Sequence, residues 1–583
     1  MNAASQALPV LKADLLLVHA PAIFDFRNRR DLYFPFLGTS GDVPITPLYE
    51  YFPVGFRSLQ RYLGERDHDV KIINLSTLLL CYPDLELATI ARALDVPIVG
   101  IDLHWMVHVQ GSLAVAEQIK RERPDIQILF GGISSTYYAD QLIRYPFIDM
   151  VMRGYDTHVP VDGLLRARRH EPALREVPNL LWKDDAGRVV DNGYIHKPDM
   201  MACGIDWRTA PRAPVSKGSF AIREYLSVQN AGCAYNCGWC GGSREAFRRI
   251  NHRKNTMIRK PIDQVRYEFD SLRSMPATDN YHFYSVGAYN ETKAGLENLI
   301  SGVHDSGLKS VSYEQFHLTP PATLKRMAEA NKNTIITLSP ESHDLRVSKL
   351  AGRGTYTNEE LEAWLGDALD AGISQIDIWY FIGMPEQDEA SVRGTVEYCA
   401  HLLHKFKGAR VNPMICPMIP FLDPASTFFE EPEHGFQVFF RTVEEHRRGM
   451  MNASLINRMN YETRWLSRRQ LVDVGFNAVR ELMQIKAQTG MLPQPVVDHH
   501  NALVEDALMF LPVVHEADSL SDPEDRRRAL DGLGAEILRR NQQIITPRVS
   551  NQVFPLQRTI VGRWFDEFGW PPEALDAIAT RAA

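Results

Sequence analysis

Two trains of short apolar runs, separated by amphipathic segments, limit the folds open to this chain. In the first train, residues 13–20, 69–75, 97–103, 126–130 and 147–154 are strand-length and nearly continuous in apolar character. Strands covered on both faces read this way. Helical spacing falls between them, at 53–63, 85–94 and 111–123. Strands alternating with helices at this pitch predict an α/β, Rossmann-like doubly wound parallel sheet. Ligands of such sheets lie beyond the carboxyl ends of the strands. The second train, at 225–229, 282–286, 310–314, 334–339, 375–381 and 411–415, gives six more strand–helix units.

Residues 156–221 differ in character. They hold prolines at 172, 178, 198, 211 and 214, a basic stretch at 166–170 and a turn at 184–187. This reads as a connector with one hairpin, 179–190. Beyond 427 the pattern turns helical, with helices expected at 438–446, 467–489, 497–508 and 526–542. The expected division is 10–165, 166–220, 221–426 and 427–583, within the three or four domains that 583 residues suggest. The apolar fraction of 45% and charged fraction of 23% are those of a soluble globular protein. A net charge of −8 argues against nucleic acid as a partner. No apolar stretch approaches a membrane span, and residues 1–12 lack a basic segment followed by a long apolar run.

The densest chemistry lies in Cys233-Ala-Tyr-Asn-Cys237-Gly-Trp-Cys240-Gly-Gly-Ser. A cubic iron–sulfur cluster needs thiolates converging from a tightly curved loop, and Gly232, Gly238, Gly241 and Gly242 give the backbone that freedom. Three cysteines where four would close a cluster leave one iron open. A structural zinc site would want a second Cys or His pair at short spacing, and His252 is the only nearby histidine. Cys81, Cys203, Cys399 and Cys416 are scattered, and seven cysteines in 583 residues make no disulfide scaffold. A reducing cytoplasm suits both the thiols and an oxygen-sensitive cluster.

The cysteine spacing resembles the radical S-adenosylmethionine (SAM) superfamily, and Tyr235 and Trp239 stand where that family has an aromatic residue. The resemblance implies a 4Fe-4S cluster on Cys233, Cys237 and Cys240. Its open iron binds the amino and carboxylate groups of SAM, and its reduced form cleaves the sulfonium to a 5′-deoxyadenosyl radical. It also implies a partial (β/α)6 TIM-type barrel with its reactive face at the strand C-termini. Segment 338–344, with Glu341 and Ser342, resembles the family stretch that reaches the adenosyl ribose and methionine groups. Segment 350–360 looks like a loop-then-helix element, capped by Thr357 or Asn358 with Glu359 or Glu360 in its first turn. Segment 381–389 resembles a Gly-x-Pro-Gly-Glu loop near the adenine, but Glu386 stands where Gly is usual, which implies a different turn. The family's Gly-Gly-Glu is absent. Residues 286–291 take its place, and Asn290 or Glu291 is expected to grip the methionine amine. Glu314 follows the third strand of this unit and is a further candidate for cofactor binding.

The first domain is similar to cobalamin (B12)-binding domains, which often precede a radical SAM domain. Ser112, Gly131 and Gly132 are the small residues past which the nucleotide tail would slide. Asp-x-His-x-x-Gly is missing after the first strand, where the chain reads His19-Ala-Pro-Ala-Ile-Phe-Asp. His108 has the right spacing to Gly111, but Met106 replaces the Asp and the segment follows the third strand. A lower ligand of the methionine-synthase type is therefore not expected. His104, Trp105 and His108 are expected corrin contacts, the alternative being side chains packed on their own domain.

The function these resemblances imply is a cobalamin-dependent radical SAM enzyme, a C-methyltransferase acting on an unactivated carbon of a small molecule or lipid. The adenosyl radical would take a hydrogen from substrate, and the carbon radical would take a methyl group from methylcobalamin. An external one-electron reductant of flavodoxin or ferredoxin type is implied. Two alternatives remain at this stage: cyclisation or rearrangement without methyl transfer, and a radical SAM enzyme whose first domain is a non-catalytic binding module. Segment 421–436 is expected to form a lid over the substrate.

Overall fold

The computed structural model describes residues 8–36, 53–168, 173–209, 223–252, 254, 257–275, 281–417, 421–545 and 567–579. The first train forms five parallel strands: β1 Leu15–His19, β2 Val70–Asn74, β3 Ile98–Asp102, β4 Gln127–Gly131 and β5 Met150–Met152. Every side chain of β1 and β3 is buried, because helices and loops cover both faces. Leu15, Leu17, Ile72 and Leu129 pack on one side, and Leu16, Val18, Ile101 and Ile128 on the other. A leucine buried this fully contributes roughly 1.5–3 kcal/mol. The expected hairpin forms as β6 Leu180–Lys183 and β7 Val189–Asp191, and both strands extend this sheet antiparallel, giving the order β2-β1-β3-β4-β5-β6-β7. A helix not anticipated, Leu75–Cys81, starts directly at the end of β2, where the Asn74 side chain caps it by accepting from Thr77 N–H.

The second train forms six parallel strands in sequential order: β8 Arg223–Val228, β9 Tyr281–Val286, β10 Ser310–Gln315, β11 Thr334–Glu341, β12 Gln375–Ile382 and β13 Val411–Pro417. Sequential order with helical crossovers is that of an open, partial barrel. Thr357 caps helix Asn358–Asp370 in a capping box with Glu360. The turn at Glu386 differs from expectation. Its backbone keeps φ 62°, the region glycine favours, at a cost of about 1 kcal/mol. Arg346 ion-pairs with its carboxylate.

Three long helices, Arg468–Gln488, Gln494–Asp518 and Pro523–Ile545, follow. The first closes the barrel's open edge: Ala478, Val479, Leu482 and Met483 join the barrel core, and Lys486 donates to Asn412 on β13 at 2.7 Å. No helix covers 438–442. Phe436–Val438 is instead a strand paired with Tyr461–Thr463, and the helix starts at Val443, where Thr442 and Glu445 form a capping box. Helix Gln494–Asp518 runs ten residues past its expected end, through Pro512, because Leu511 and Val514 continue its buried face. The same C-terminal region reaches back to the first domain. Asn541 accepts from Phe34 N–H, Glu567 pairs with buried Arg57, and Trp570 donates to the Pro9 carbonyl. No helix among the described residues is long and apolar enough to cross a membrane.

Candidate cluster and corrin site

β8 leads into the cysteine loop through a short strand, Asn230–Gly232, that pairs antiparallel with Met257–Arg259. Gly232 turns the chain with φ 74°, and Ser243 caps the helix Arg244–Asn251 that ends the loop. Within it, Tyr235 N–H donates to Cys233 Sγ at 3.3 Å and Gly242 N–H to Cys240 Sγ at 3.3 Å. Phe428 lies so close over Gly238 that a Cβ there would come within 2.3 Å of its ring. Cys233 and Cys237 are buried, and all three thiols are free. Burial pushes the Cys237 thiol up to about 11 against the pull of Arg353, and burial next to Asp423 holds Cys240 well above the usual thiol range. Binding iron would therefore release protons.

Arg353 is the clamp that sequence reasoning missed. Its Nε donates to Cys237 Sγ at 3.1 Å and lies 2.9 Å from Glu341 Oε1, and Nη1 donates to the Ser339 carbonyl at 2.7 Å. Its guanidinium sits 3.2 Å over Phe316, which stacks on Tyr289. Tyr235 packs edge-on against both rings. Glu341 is fully buried with φ 72° and accepts from Trp239 Nε1 at 3.3 Å, while Trp239 lies against Phe381. Burial raises the Glu341 carboxyl, and Arg353 opposes the rise.

The remaining strand-end residues separate. Asn290 Nδ2 lies 3.6 Å from Cys233 Sγ, and Asn290 Oδ1 accepts from Ala234 N–H. Glu291 turns away, into a recess with Gln229, Arg259 and Lys260. Glu314 accepts from Gly287 N–H at 3.1 Å. The Ser342 hydroxyl is taken up by its own turn, accepting from Asp344 N–H.

At the carboxyl edge of the first sheet, the β1–β3 register sets Val18 beside Ile101, which brings His19 next to Asp102. Asp102 receives His19 Nδ1 at 3.1 Å and His104 Nδ1 at 2.6 Å. Burial alone would raise the Asp102 carboxyl, but the two imidazoles overcome it and hold the group far below the usual carboxylate range. His108 is buried behind them, with Nδ1 on the Ala20 carbonyl, and burial lowers its pKa to about 3. Ser112 Oγ donates to the Asp102 carbonyl. Gly131 has open space where a side chain would stand, whereas a Cβ on Gly132, at φ 109°, would come within 2.9 Å of the Leu103–His104 backbone.

The two edges meet at Asp423, a second residue missed from sequence. Its Oδ1 accepts from Trp105 Nε1 at 2.8 Å and its Oδ2 from Gly241 N–H at 2.9 Å. A cavity between them is lined by His104, Ser134 and Tyr137 on one side and Gly241, Gly242 and Asp423 on the other.

The profile of the B12 binding domain family matches residues 42–162, and that of the radical SAM superfamily matches residues 229–399. This is a cobalamin-dependent radical SAM enzyme. Among solved structures, the enzyme is similar in fold to the radical SAM methyltransferase TsrM from Kitasatospora setae. The form with cobalamin and [4Fe-4S] cluster bound gives TM-score 0.54 at 14% identity, covering 87% of this chain and 100% of that one. The form with tryptophan substrate and a SAM analogue gives 0.50 at 15% identity, covering 73% and 78%. The cobalamin-dependent radical SAM enzyme OxsB, with aqua-cobalamin and SAM bound, gives 0.48 at 13%, covering 98% and 78%. No curated protein sequence matches the enzyme.

The residues present fit the groups such an enzyme holds: a 4Fe-4S cluster, SAM and cobalamin. Among the described residues, His19, Asp102 and His104 are the one group whose ligand atoms all lie within 4.8 Å of one another. The cysteine trio is spread wider than a single ion requires, as suits a cubane in which each thiolate takes its own iron.

Proposed function

We propose that the enzyme is a methyltransferase acting on an unactivated carbon of a small molecule or lipid. One observation carries this reading: Asp423 ties Trp105 of the corrin edge to Gly241 of the cysteine loop, so both cofactor sites open on one cleft. Two such sites facing one cleft suit passage of a group to a substrate held between them. When bound, the cluster supplies the electron that opens the sulfonium donor, and cobalamin supplies a methyl group.

The chain's own residues position and shield. Cys233, Cys237 and Cys240 hold the iron, and the amide hydrogens of Tyr235 and Gly242 steady the sulfurs. Arg353 sets a fixed positive charge beside Cys237 and Glu341. Asn290 stands at Cys233 to meet the donor's amino acid end. Tyr235, Tyr289 and Phe316 form an aromatic wall that keeps water from the loop. A flavodoxin- or ferredoxin-type carrier supplies electrons from outside. A recess behind the loop, lined by Arg244 and Lys349, supports this by giving the loop a basic outer face.

The test compares strains with and without the chain, grown on methionine whose methyl group is fully deuterated. The expected result is a metabolite, present only with the chain, that carries the whole labelled methyl on carbon. A chain-dependent metabolite with a rearranged skeleton and no label would overturn methyl transfer.

A further inference from the structure

The end of β3 reads Asp102-Leu103-His104, an Asp-x-His step on the third strand rather than the first. We infer that His104 is the lower axial ligand of the cobalt, through Nε2, with Asp102 as the residue that orients it; this rests on the cobalamin reading above. A metal-bound imidazole commonly donates its other N–H to a carboxylate, which fixes the tautomer and raises the basicity of the ligating nitrogen. Asp102 takes His104 Nδ1 at 2.6 Å, so the nitrogen left to offer is Nε2.

The pair is held from several directions. His19 engages Asp102 from β1 at 3.1 Å. Leu103 N–H donates to the Gly131 carbonyl, Ser135 N–H to the Leu103 carbonyl and Ser134 Oγ to the His104 carbonyl. A side chain at Gly132 would collide with the Leu103–His104 backbone, so the glycine lets this loop lie close against the end of β4. Such support is what a ligand needs to hold its direction.

Of the three histidines, His104 alone reaches the cleft. Its side chain is 27% exposed and lines the cavity opposite Gly241 and Gly242, while His19 and His108 are fully buried. His108 backs it, ring centroids 5.3 Å apart. His19, Asp102 and His104 lie close enough to share one ion, but their contacts of 2.6 and 3.1 Å are hydrogen bonds already made, and His19 has no face on the cleft. Support for a single exposed imidazole fits this geometry better than a buried ion. The sequence argues only against a ligand of the methionine-synthase type, carried after the first strand, and His104 follows the third.

The experiment is electron paramagnetic resonance of the full chain loaded with cob(II)alamin. The unpaired electron of low-spin cobalt(II) points along the axial bond, so one axial nitrogen splits each cobalt line. Protein grown with ordinary histidine is expected to show threefold splitting, and protein grown with ¹⁵N-histidine twofold splitting. His104→Gln should lose the protein-derived splitting, and His108→Gln should keep it. Threefold splitting that ignores the label would place the cofactor's own base on cobalt and overturn the inference, as would retained corrin with no nitrogen splitting. Both of those outcomes leave the cobalamin reading standing. A wild-type chain that retains no corrin would overturn both.

Discussion

The cysteine loop and the histidine cluster occupy equivalent places, each at the carboxyl edge of a parallel sheet, yet they are built in opposite ways. Cys233, Cys237 and Cys240 come from one short loop, and separate clamps (Arg353, Glu341, Asp423) bring that loop to its shape. His19 ends β1 and His104 follows the end of β3, and the register of β1 against β3 brings His19 to the Asp102 that also holds His104. A ligand set carried on one loop is tuned by what grips the loop. A set assembled across strands inherits the rigidity of the sheet.

The largest expected effect breaks the first region and spares the second. Cys233→Ala, Cys237→Ala or Cys240→Ala each removes the cluster and abolishes deoxyadenosine formation, while corrin retention persists; iron content and product analysis check this. Next is the clamp. Arg353→Met leaves Glu341 buried without its cation and should cost about 3–5 kcal/mol in denaturant unfolding, because an unpaired buried charge is strongly unfavourable.

Acid should sharpen the contrast from the other side. His108 has its pKa lowered to about 3 by burial, against about 6.5 in the unfolded chain. A group depressed in the folded state contributes stability above its unfolded pKa and loses it as pH falls toward the folded one. The first domain should therefore lose about 2 kcal/mol between pH 7 and pH 5. His108→Gln should flatten that slope in pH-dependent denaturation. The smallest effect lies at the seam: Trp105→Phe removes one donor to Asp423 and should cost about 1–2 kcal/mol.

The same contrast explains what could be read without coordinates. The cysteine ligands were legible because their spacing is local, and the parallel strands because runs buried on both faces are continuously apolar. Arg353 was not legible: it lies 116 residues from Cys237, and nothing in the intervening sequence records the pairing. Asp423 is likewise joined to Trp105 across 318 residues. Asp102-Leu103-His104 stood in plain view, but Val107 stands where Asp-x-His-x-x-Gly has its glycine, and the step follows the third strand rather than the first. The extension of helix Gln494–Asp518 through Pro512 shows tertiary burial overriding a local breaker. Residues 37–52 lie outside the described residues, as do Pro172, Pro211 and Pro214 of the expected connector.

Everything chemical here depends on the cysteine loop leaving one iron free for a sulfonium donor. Anaerobic Mössbauer and paramagnetic resonance spectroscopy of the reconstituted, reduced protein, with and without SAM, tests that most directly. A four-iron centre with one distinct iron site, whose spectrum shifts when SAM is added, is the predicted result. A centre with four equivalent sites that does not respond to SAM, or no four-iron centre at all, would contradict it.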